Sequence, residues 1–495
     1  MLKFKCVLAR FLGVIHMNEN KENNAVIGRN TEKQTLQRCL ESHKPEFVAL
    51  YGRRRIGKTY LVRRFFKGKF AFYTTGIKDG KKKDKLGIFN DALIAYGSGK
   101  KSRPESWFEA FSRLRDLLES PKCYKDCKTG KKVVFLDELP WMDTPHSEFK
   151  SALDYFWNTY GSTQEDLLLI VCGSATSWII NNIAKDTGGF YNRLTNIIHL
   201  QPFSLKECRE LAEKLGLDHD GESVAKTYMV FGGVPFYWNL LYPEESLDQG
   251  IQRLCFEEGG PLRYEFETLF SSLFSAKRTH RAIILALSEK ASGLTRQELL
   301  KCDGLKGGET LTKDLEELEQ CGFVHKFKRP GTTNGAYYQI KDPFVRFAIT
   351  FLRSDKISSW LSYIKTPSYY SWQGNAFELL CLNHVEEIKN ALGISGVETN
   401  EYSFRSTKHS PGAQIDLVID RNDSVSNLCE MKYTAKPFAI DKDYAENLTN
   451  KEEAYRLDTK TKNAVRITLI SAHGIVKNRY SYVAMNVITL SDFFK

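Results

Sequence analysis

Phe47-Val48-Ala49-Leu50-Tyr51, followed by Gly52-Arg53-Arg54-Arg55-Ile56-Gly57-Lys58-Thr59 and the helix-like stretch Tyr60 to Phe66, is the part of this chain that decides its fold. An apolar run, a loop bounded by glycines and a helix, at the spacing G-x-x-x-x-G-K-[ST], read as a P-loop, and the flanking strand and helix carry the reading beyond a bare pattern match. The residue types suit phosphate. Glycines let backbone N–H groups curl around phosphate oxygens, and the N-terminus of the following helix adds partial positive charge. Lys58 is placed to reach the β- and γ-phosphates and Thr59 to offer its hydroxyl to Mg2+. The predicted cofactors are ATP and Mg2+, with Gly52, Arg53, Arg54, Arg55, Ile56, Gly57, Lys58, Thr59 and Tyr60 around the nucleotide. The three loop arginines are open to three readings: facing solvent, DNA or a partner subunit.

A second strand, Lys132 to Leu136, ends in Asp137-Glu138. A buried parallel strand that delivers acids at its carboxyl end places them where such sheets bind ligands. Asp137 is expected to hold Mg2+ through water, and Glu138 to take the proton from the attacking water. The alternative for such an acid pair is an ordinary helix cap. A third apolar run, Leu167 to Cys172, leads into Gly173-Ser174-Ala175-Thr176. Ser174 is a candidate sensor of the γ-phosphate, or else the cap of the helix that follows.

At about 100 to 200 residues per domain, a chain of 495 residues forms roughly three units. Its apolar fraction of 42% and charged fraction of 26% are those of a globular protein rather than a disordered or fibrous one. Val7 to Ile15, interrupted by Arg10, is too short to span a bilayer and lacks a clean cleavage site, and Met17 is a second candidate start. Eleven cysteines, an odd number without a secretory signal, read as reduced thiols in the cytoplasm. Cys123 and Cys127 come close together, but a zinc site needs two further ligands and none lies nearby. The net charge of +11 is compatible with a nucleic-acid partner, since clustered Lys and Arg release counterions from a phosphate backbone. Runs such as Lys81 to Lys85 are, however, more often solvated faces.

Several further blocks agree in order with one family. Val26-Ile27-Gly28-Arg29 with Glu32, then Gly189-Phe190-Tyr191-Asn192-Arg193, Leu200-Gln201-Pro202-Phe203-Ser204 and Phe231-Gly232-Gly233-Val234-Pro235-Phe236-Tyr237 resemble motifs of the archaeal-type P-loop ATPases of the AAA and STAND group, also common in bacteria. The resemblance implies that Gly28 and Arg29 lie near the adenine. It makes Arg193 the arginine that stabilises charge on the transferred phosphoryl group, and Pro235 part of a helical lid that senses base or ribose. The chain departs from the family at Asn192, where glycine is usual, and a structural salt bridge is the alternative role for Arg193. Thr279 to Phe351 resembles the family's winged-helix segment, with helices at Arg281 to Ser288 and Leu311 to Gln320 and strands at Phe323 to Phe327 and Tyr337 to Ile340 around a Pro-Gly-Thr-Thr-Asn-Gly turn. Leu311, Leu315 and Leu318 recur at helical spacing and should be buried. The same helix carries Lys313 but also Asp314, Glu316, Glu317 and Glu319, an acidity that argues against insertion into a phosphate-lined groove.

Beyond an aromatic connector, Gly374 to Leu380 starts a helical stretch containing Glu378. In Ile415-Asp416-Leu417-Val418-Ile419-Asp420, strict alternation would place Ile415, Leu417 and Ile419 on one face and both acids on the other. Leu428-Cys429-Glu430-Met431-Lys432 aligns Glu430 with Lys432. An acid in one strand with Glu-x-Lys in its neighbour resembles the PD-(D/E)xK nuclease fold. That resemblance implies a divalent ion on Asp416 and Glu430, Lys432 positioning the attacking water, and Glu378 completing the cluster. A degenerate domain that binds without cutting is the alternative.

The reading is an α/β chain: a P-loop NTPase parallel sheet with a helical lid, a winged-helix segment and a C-terminal α/β restriction-endonuclease-like domain. Its boundaries are an N-terminal extension over 1–24, P-loop core 25–205, lid 206–275, winged helix 276–352, connector 353–373 and nuclease-like domain 374–495. Functionally it is a nucleotide-driven switch, alternatively an ATP-regulated metal-dependent nuclease, alternatively a non-cutting scaffold. Partners consistent with it are ATP, DNA or another nucleic acid, and a protein partner or further copy of the chain, without a membrane. A kinase or transporter subunit is disfavoured because neither a membrane anchor nor their signature motifs occur.

Overall fold

The computed structural model describes residues 26–144, 147–184, 192–274, 278–290, 292–305, 307–328, 335–353, 359–406 and 412–495. The N-terminal extension, Gly189-Phe190-Tyr191 and most of the Pro-Gly-Thr-Thr-Asn-Gly turn therefore lie outside the described residues. The described chain groups into two compact units, one of 26–50, 57–172 and 192–198, the other of 51–56, 173–184 and 199–495. No described helix is long and apolar enough to cross a membrane.

Five strands, β1 (Glu46–Tyr51), β2 (Phe72–Thr75), β3 (Lys132–Asp137), β4 (Leu167–Gly173) and β5 (Asn196–His199), form one sheet in the order β2-β3-β4-β1-β5. β2 with β3, and β3 with β4, pair in parallel. Every residue of β3 and β4 is buried, so each reads as a continuous apolar run rather than an alternating one. In the first unit α1 (Asn30–Glu41) precedes β1, and α2 (Lys58–Phe65) follows the P-loop. Three further helices, α3 (Lys82–Ala95), α4 (Trp107–Glu119) and α5 (Phe149–Thr159), pack through Phe89, Trp107 and Phe149, with Trp107 edge-on to both phenyl rings at 5.5 and 4.8 Å.

The second unit continues through α6 (Leu205–Leu215), α7 (Gly221–Phe231), α8 (Pro235–Trp238) and α9 (Glu265–Leu273). Ser204 and Glu207 form a capping box at the start of α6. There follow α10 (Arg278–Ser288), β6 (Leu294–Thr295), α11 (Arg296–Leu299), α12 (Glu309–Gln320), β7 (Val324–Phe327) and β8 (Tyr337–Ile340). β8 is the centre of this three-stranded antiparallel sheet. On α12 the leucines at 311, 315 and 318 are buried as their spacing predicts, but so is Asp314. Asp314 Oδ1 lies 3.7 Å from His280 Nε2, and Glu317 Oε2 lies 2.8 Å from the same atom. Two of the acids read as repelling a nucleic-acid groove therefore face a histidine of α10 instead.

α13 (Pro343–Phe351) and α14 (Pro367–Asn383) lead into the C-terminal sheet. α14 begins at Pro367, earlier than the expected Gly374. Thr366 accepts a hydrogen bond from the Tyr369 N–H and proline occupies the first turn, so the connector supplies its own helix start. Trp360 and Trp372 of that connector pack on Phe347 and Phe351. The last sheet has the order β13-β12-β11-β10-β9, built from β9 (Thr399–Arg405), β10 (Gln414–Arg421), β11 (Val425–Lys432), β12 (Ala464–Ser471) and β13 (Asn486–Thr489). β9, β10 and β11 are antiparallel neighbours, and β11, β12 and β13 parallel ones, with α15 (Lys442–Thr459) crossing from β11 to β12.

Strict alternation fails in β10. The pairing shifts between Ile415 and Val418, and these two enter one apolar cluster with Tyr402, Phe404 and Leu428. Asp420 accepts hydrogen bonds from Ser426 and Asn463, so it does not stand with Asp416 as alternation required.

Candidate functional site

In the first unit, Gly57 is left-handed at φ +90° and ends the loop, after which α2 starts at the buried Lys58. Thr59, one residue on, donates its hydroxyl to both Asp137 oxygens, at 3.1 and 2.9 Å. Asp137 is the last residue of β3 and is 3% exposed. Burial, and then the neighbouring Glu138 charge, push its carboxyl up to about 6 against the hydrogen bonds it accepts. A carboxylate so poorly solvated, sharing its site with a threonine hydroxyl, is a donor set that fits Mg2+. Glu138 turns the chain sharply: its φ is +47° and its N–H donates to Asp137 Oδ1 at 3.0 Å. Glu138 thus leaves the strand in a left-handed turn directly after Asp137.

Gly28 and Arg29 are both left-handed, and Arg29 begins α1 while pairing with Glu32 at 3.7 Å. Tyr60 is exposed beneath Arg64. Arg193 is exposed in the turn before β5, and among the described residues no hydrogen bond or ion pair holds its guanidinium. In the second unit Ser174 is buried, but Ala175, not Ser174, is the N-cap of the helix that follows.

The first half of the P-loop belongs to the second unit, and there the loop arginines find internal partners. Gly52 has φ +148°, and a Cβ on it would come within 2.2 Å of the Leu200 carbonyl, so no other residue fits. Arg53 lies 2.5 Å from Asp342, each 3% exposed, with its guanidinium 5.8 Å from the Tyr237 ring and 5.5 Å from that of Phe323. Arg55 lies 2.5 Å from Glu265 and 4.3 Å above the Phe236 ring. Tyr237 donates its hydroxyl to the same Glu265 oxygen at 3.1 Å. Solvent, DNA and a partner subunit are thus displaced, for Arg53 and Arg55, by acids of this chain. Arg54 is half-buried. Two motifs read separately also meet here: the Phe203 N–H donates to the Gly233 carbonyl at 2.7 Å, and a Cβ at Gly233 would fall 1.9 Å from the Phe203 oxygen. Pro235 opens α8 directly after this crossing.

In the C-terminal sheet, Asp416 Oδ2 accepts from the Met431 N–H at 3.0 Å. Glu430 Oε1 accepts from Lys432 at 3.0 Å and from the Tyr444 hydroxyl at 3.1 Å, and Oε2 accepts from Lys451 at 2.6 Å. Burial, the Glu430 charge and the Glu378 charge raise the Asp416 carboxyl. Burial raises Glu378 too, opposed by Arg346 and Lys432. Burial also works against ionisation of Glu430, but Lys451 and Lys432 outweigh it and hold this carboxyl low. A cavity of about 590 Å3 opens on Glu430, Lys432, Tyr444, Asn447 and Lys451. Tyr444 and Lys451 were missed in sequence: they sit on α15, which carries no motif of its own.

The AAA domain family AAA_14 matches residues 44–209, the stretch that holds the P-loop and Asp137-Glu138. This segment has the P-loop NTPase fold. An uncharacterized protein of Methanocaldococcus jannaschii, MJECL04, is 23% identical over 421 residues, 82% of this chain and 87% of that one, so the likeness runs well beyond the P-loop domain. Among solved structures, a Walker-type ATPase of Pyrococcus abyssi, PABY2304, is similar at 18% identity and a TM-score of 0.46, covering 66% of this chain and 96% of its own. The ORC2 protein of Aeropyrum pernix, in its ADPNP-ADP complexes, is similar at 15% and 0.41, covering 67% and 96%.

Proposed function

We propose that the chain is a Mg2+-dependent ATPase whose nucleotide cycle acts as a switch. One observation carries this reading: the Thr59 hydroxyl and the Asp137 carboxylate, from motifs far apart in sequence, are hydrogen-bonded directly after the P-loop. Lys58 and the loop N–H groups would hold the ATP phosphates, and Thr59 and Asp137 would hold Mg2+, which when bound supplies charge neutralisation to the phosphates. Glu138 takes the proton from the attacking water, held in place by its left-handed turn. Arg193 is the candidate for charge stabilisation and Ser174 for γ-phosphate sensing. Residues 276–352 act as a winged helix, and DNA is the partner class this architecture suits. Phosphate release from ATP with Mg2+ tests the proposal in wild type, Lys58→Ala and Glu138→Gln, with and without duplex DNA. Turnover lost in both variants and stimulated by DNA supports a switch on nucleic acid. Binding of ATP without turnover in any condition would make the site a regulatory nucleotide holder and remove Glu138 as a base.

A second reading is favoured by the C-terminal cluster: a divalent-ion site of nuclease type, with Asp416 and Glu430 as ligands and Lys432 positioning water. Cleavage of DNA that disappears in Asp416→Ala and Glu430→Ala while ATP hydrolysis persists supports it. Cleavage unaffected by either change would leave a non-cutting scaffold.

A further inference from the structure

The Arg53 side chain is committed to an internal ion pair with Asp342. Its partner Asp342 has two tasks. While pairing with Arg53 it accepts the Val345 N–H at 2.9 Å and so caps α13. Arg53 therefore cannot shift relative to α13 without stranding a buried charge or uncapping that helix. α13 is in turn fixed to α14 along its length. Phe347 and Phe351 lie 5.9 and 5.3 Å from Trp372, and Asn383, at the end of α14, donates to the Lys341 carbonyl next to Asp342 at 3.0 Å.

Between Trp372 and Asn383, α14 carries Glu378. Phe377 beside it packs on Tyr433 at 5.2 Å, the residue after Lys432. The charges of Arg346 on α13 and of Lys432, Glu430 and Lys451 in the cluster all act on Glu378. We propose that α13 and α14 are a two-helix relay through which the state of the P-loop sets the divalent-ion affinity of the Asp416–Glu430 cluster. The proposal rests on reading that cluster as a metal site. A packed pair of helices pinned at both ends moves as a body, so a displacement of Arg53 at one end is felt at Glu378 at the other.

Coupling is reciprocal, so a change at Glu378 must alter nucleotide affinity. The affinity of the full-length chain for a fluorescent ADP, mant-ADP, measured in EDTA, provides the test. Glu378→Gln is expected to shift this Kd at least threefold, and the shift should vanish when combined with Asp342→Asn. Because Asp342→Asn takes the paired carboxylate away from the buried Arg53, Arg53→Met/Asp342→Asn, which keeps a capping side chain and removes both charges, serves as a second background. A Kd unchanged by Glu378→Gln, or a shift of equal size in the uncoupled backgrounds, would overturn the relay. A parallel Mn2+ titration of Asp137→Asn and Asp137→Asn/Asp416→Ala without nucleotide, in which the P-loop ion site is removed from both, separates the two readings. Loss of Mn2+ binding in the double variant sustains the metal site whatever the relay does, whereas retention overturns the metal site and the relay with it.

Discussion

Arg53 and Asp342, 289 positions apart, form an ion pair at 2.5 Å with both side chains 3% exposed. Burial works against ionisation of the Asp342 carboxyl and raises it, with Arg53 opposing. A pair this dry is worth little against an apolar substitute, yet breaking it from one side strands a charge at a cost of about 3–5 kcal/mol. Asp342→Asn is expected to lower stability by that order, while Arg53→Met/Asp342→Asn recovers a large part of the loss. Urea unfolding of both variants checks this. Equal destabilisation in the two would mean that the ion pair is not the source.

His384 supplies a pH dependence. It ends α14, fully buried, where its Nδ1–H donates to the Leu380 carbonyl at 2.8 Å and its Nε2 accepts from the Leu205 N–H at 3.1 Å. Acceptance at Nε2 requires the neutral ring, and burial pushes its pKa down to about 4, against the Leu380 bond, which favours the charged ring. The unfolded chain therefore binds a proton that the folded chain refuses between about 6.5 and about 4, so stability falls as pH drops through that window, by about 3 kcal/mol in all. His384→Ala should flatten the slope of unfolding free energy between pH 4 and 6.5. An unchanged slope would assign the acid sensitivity elsewhere.

The legibility of the chain follows where each residue's information lies. Thr59 and Asp137 were readable because each sits in a short motif whose spacing carries its own chemistry. Arg53 occupies a variable position of its motif, and its partner is remote, so only folding reveals the pair. On α12, Asp314 shares the face of Leu311, Leu315 and Leu318, so helical period placed it inside while its charge suggested the outside. The position was the better guide, because His280 receives it. In β10 the alternation read over Ile415 to Asp420 fails because the pairing shifts between Ile415 and Val418, which no residue type announces.

Lys451 occupies Glu430 Oε2 at 2.6 Å, where a divalent ion would compete with it. At an effective dielectric of about 20, charges about 4 Å apart interact by about 4 kcal/mol, and a third of that is about tenfold in affinity. Lys451→Met is therefore expected to tighten Mn2+ binding roughly tenfold, read by the paramagnetic resonance of free Mn2+ in a Lys58→Ala background without nucleotide. Binding that weakens instead would make Lys451 a support of the site rather than a competitor.

Gly76 is the residue that gives Glu138 room. Its N–H donates to the Asp137 carbonyl at 2.9 Å, and a Cβ there would lie 2.4 Å from the Glu138 oxygen and 3.0 Å from the Met142 nitrogen. Neither neighbour is the free end of a side chain, so the backbone turn that carries Glu138 must move. Gly76→Ala is expected to cost about 1–3 kcal/mol of stability and to lower ATP turnover at least tenfold. Nucleotide affinity should change far less, because Lys58 and Thr59 are untouched. Gly99→Ala, at a position with open space around it, is the matched control and should leave all three quantities unchanged. Wild-type turnover in Gly76→Ala would show that the position of the Glu138 turn does not limit the reaction, and would count against Glu138 as the base.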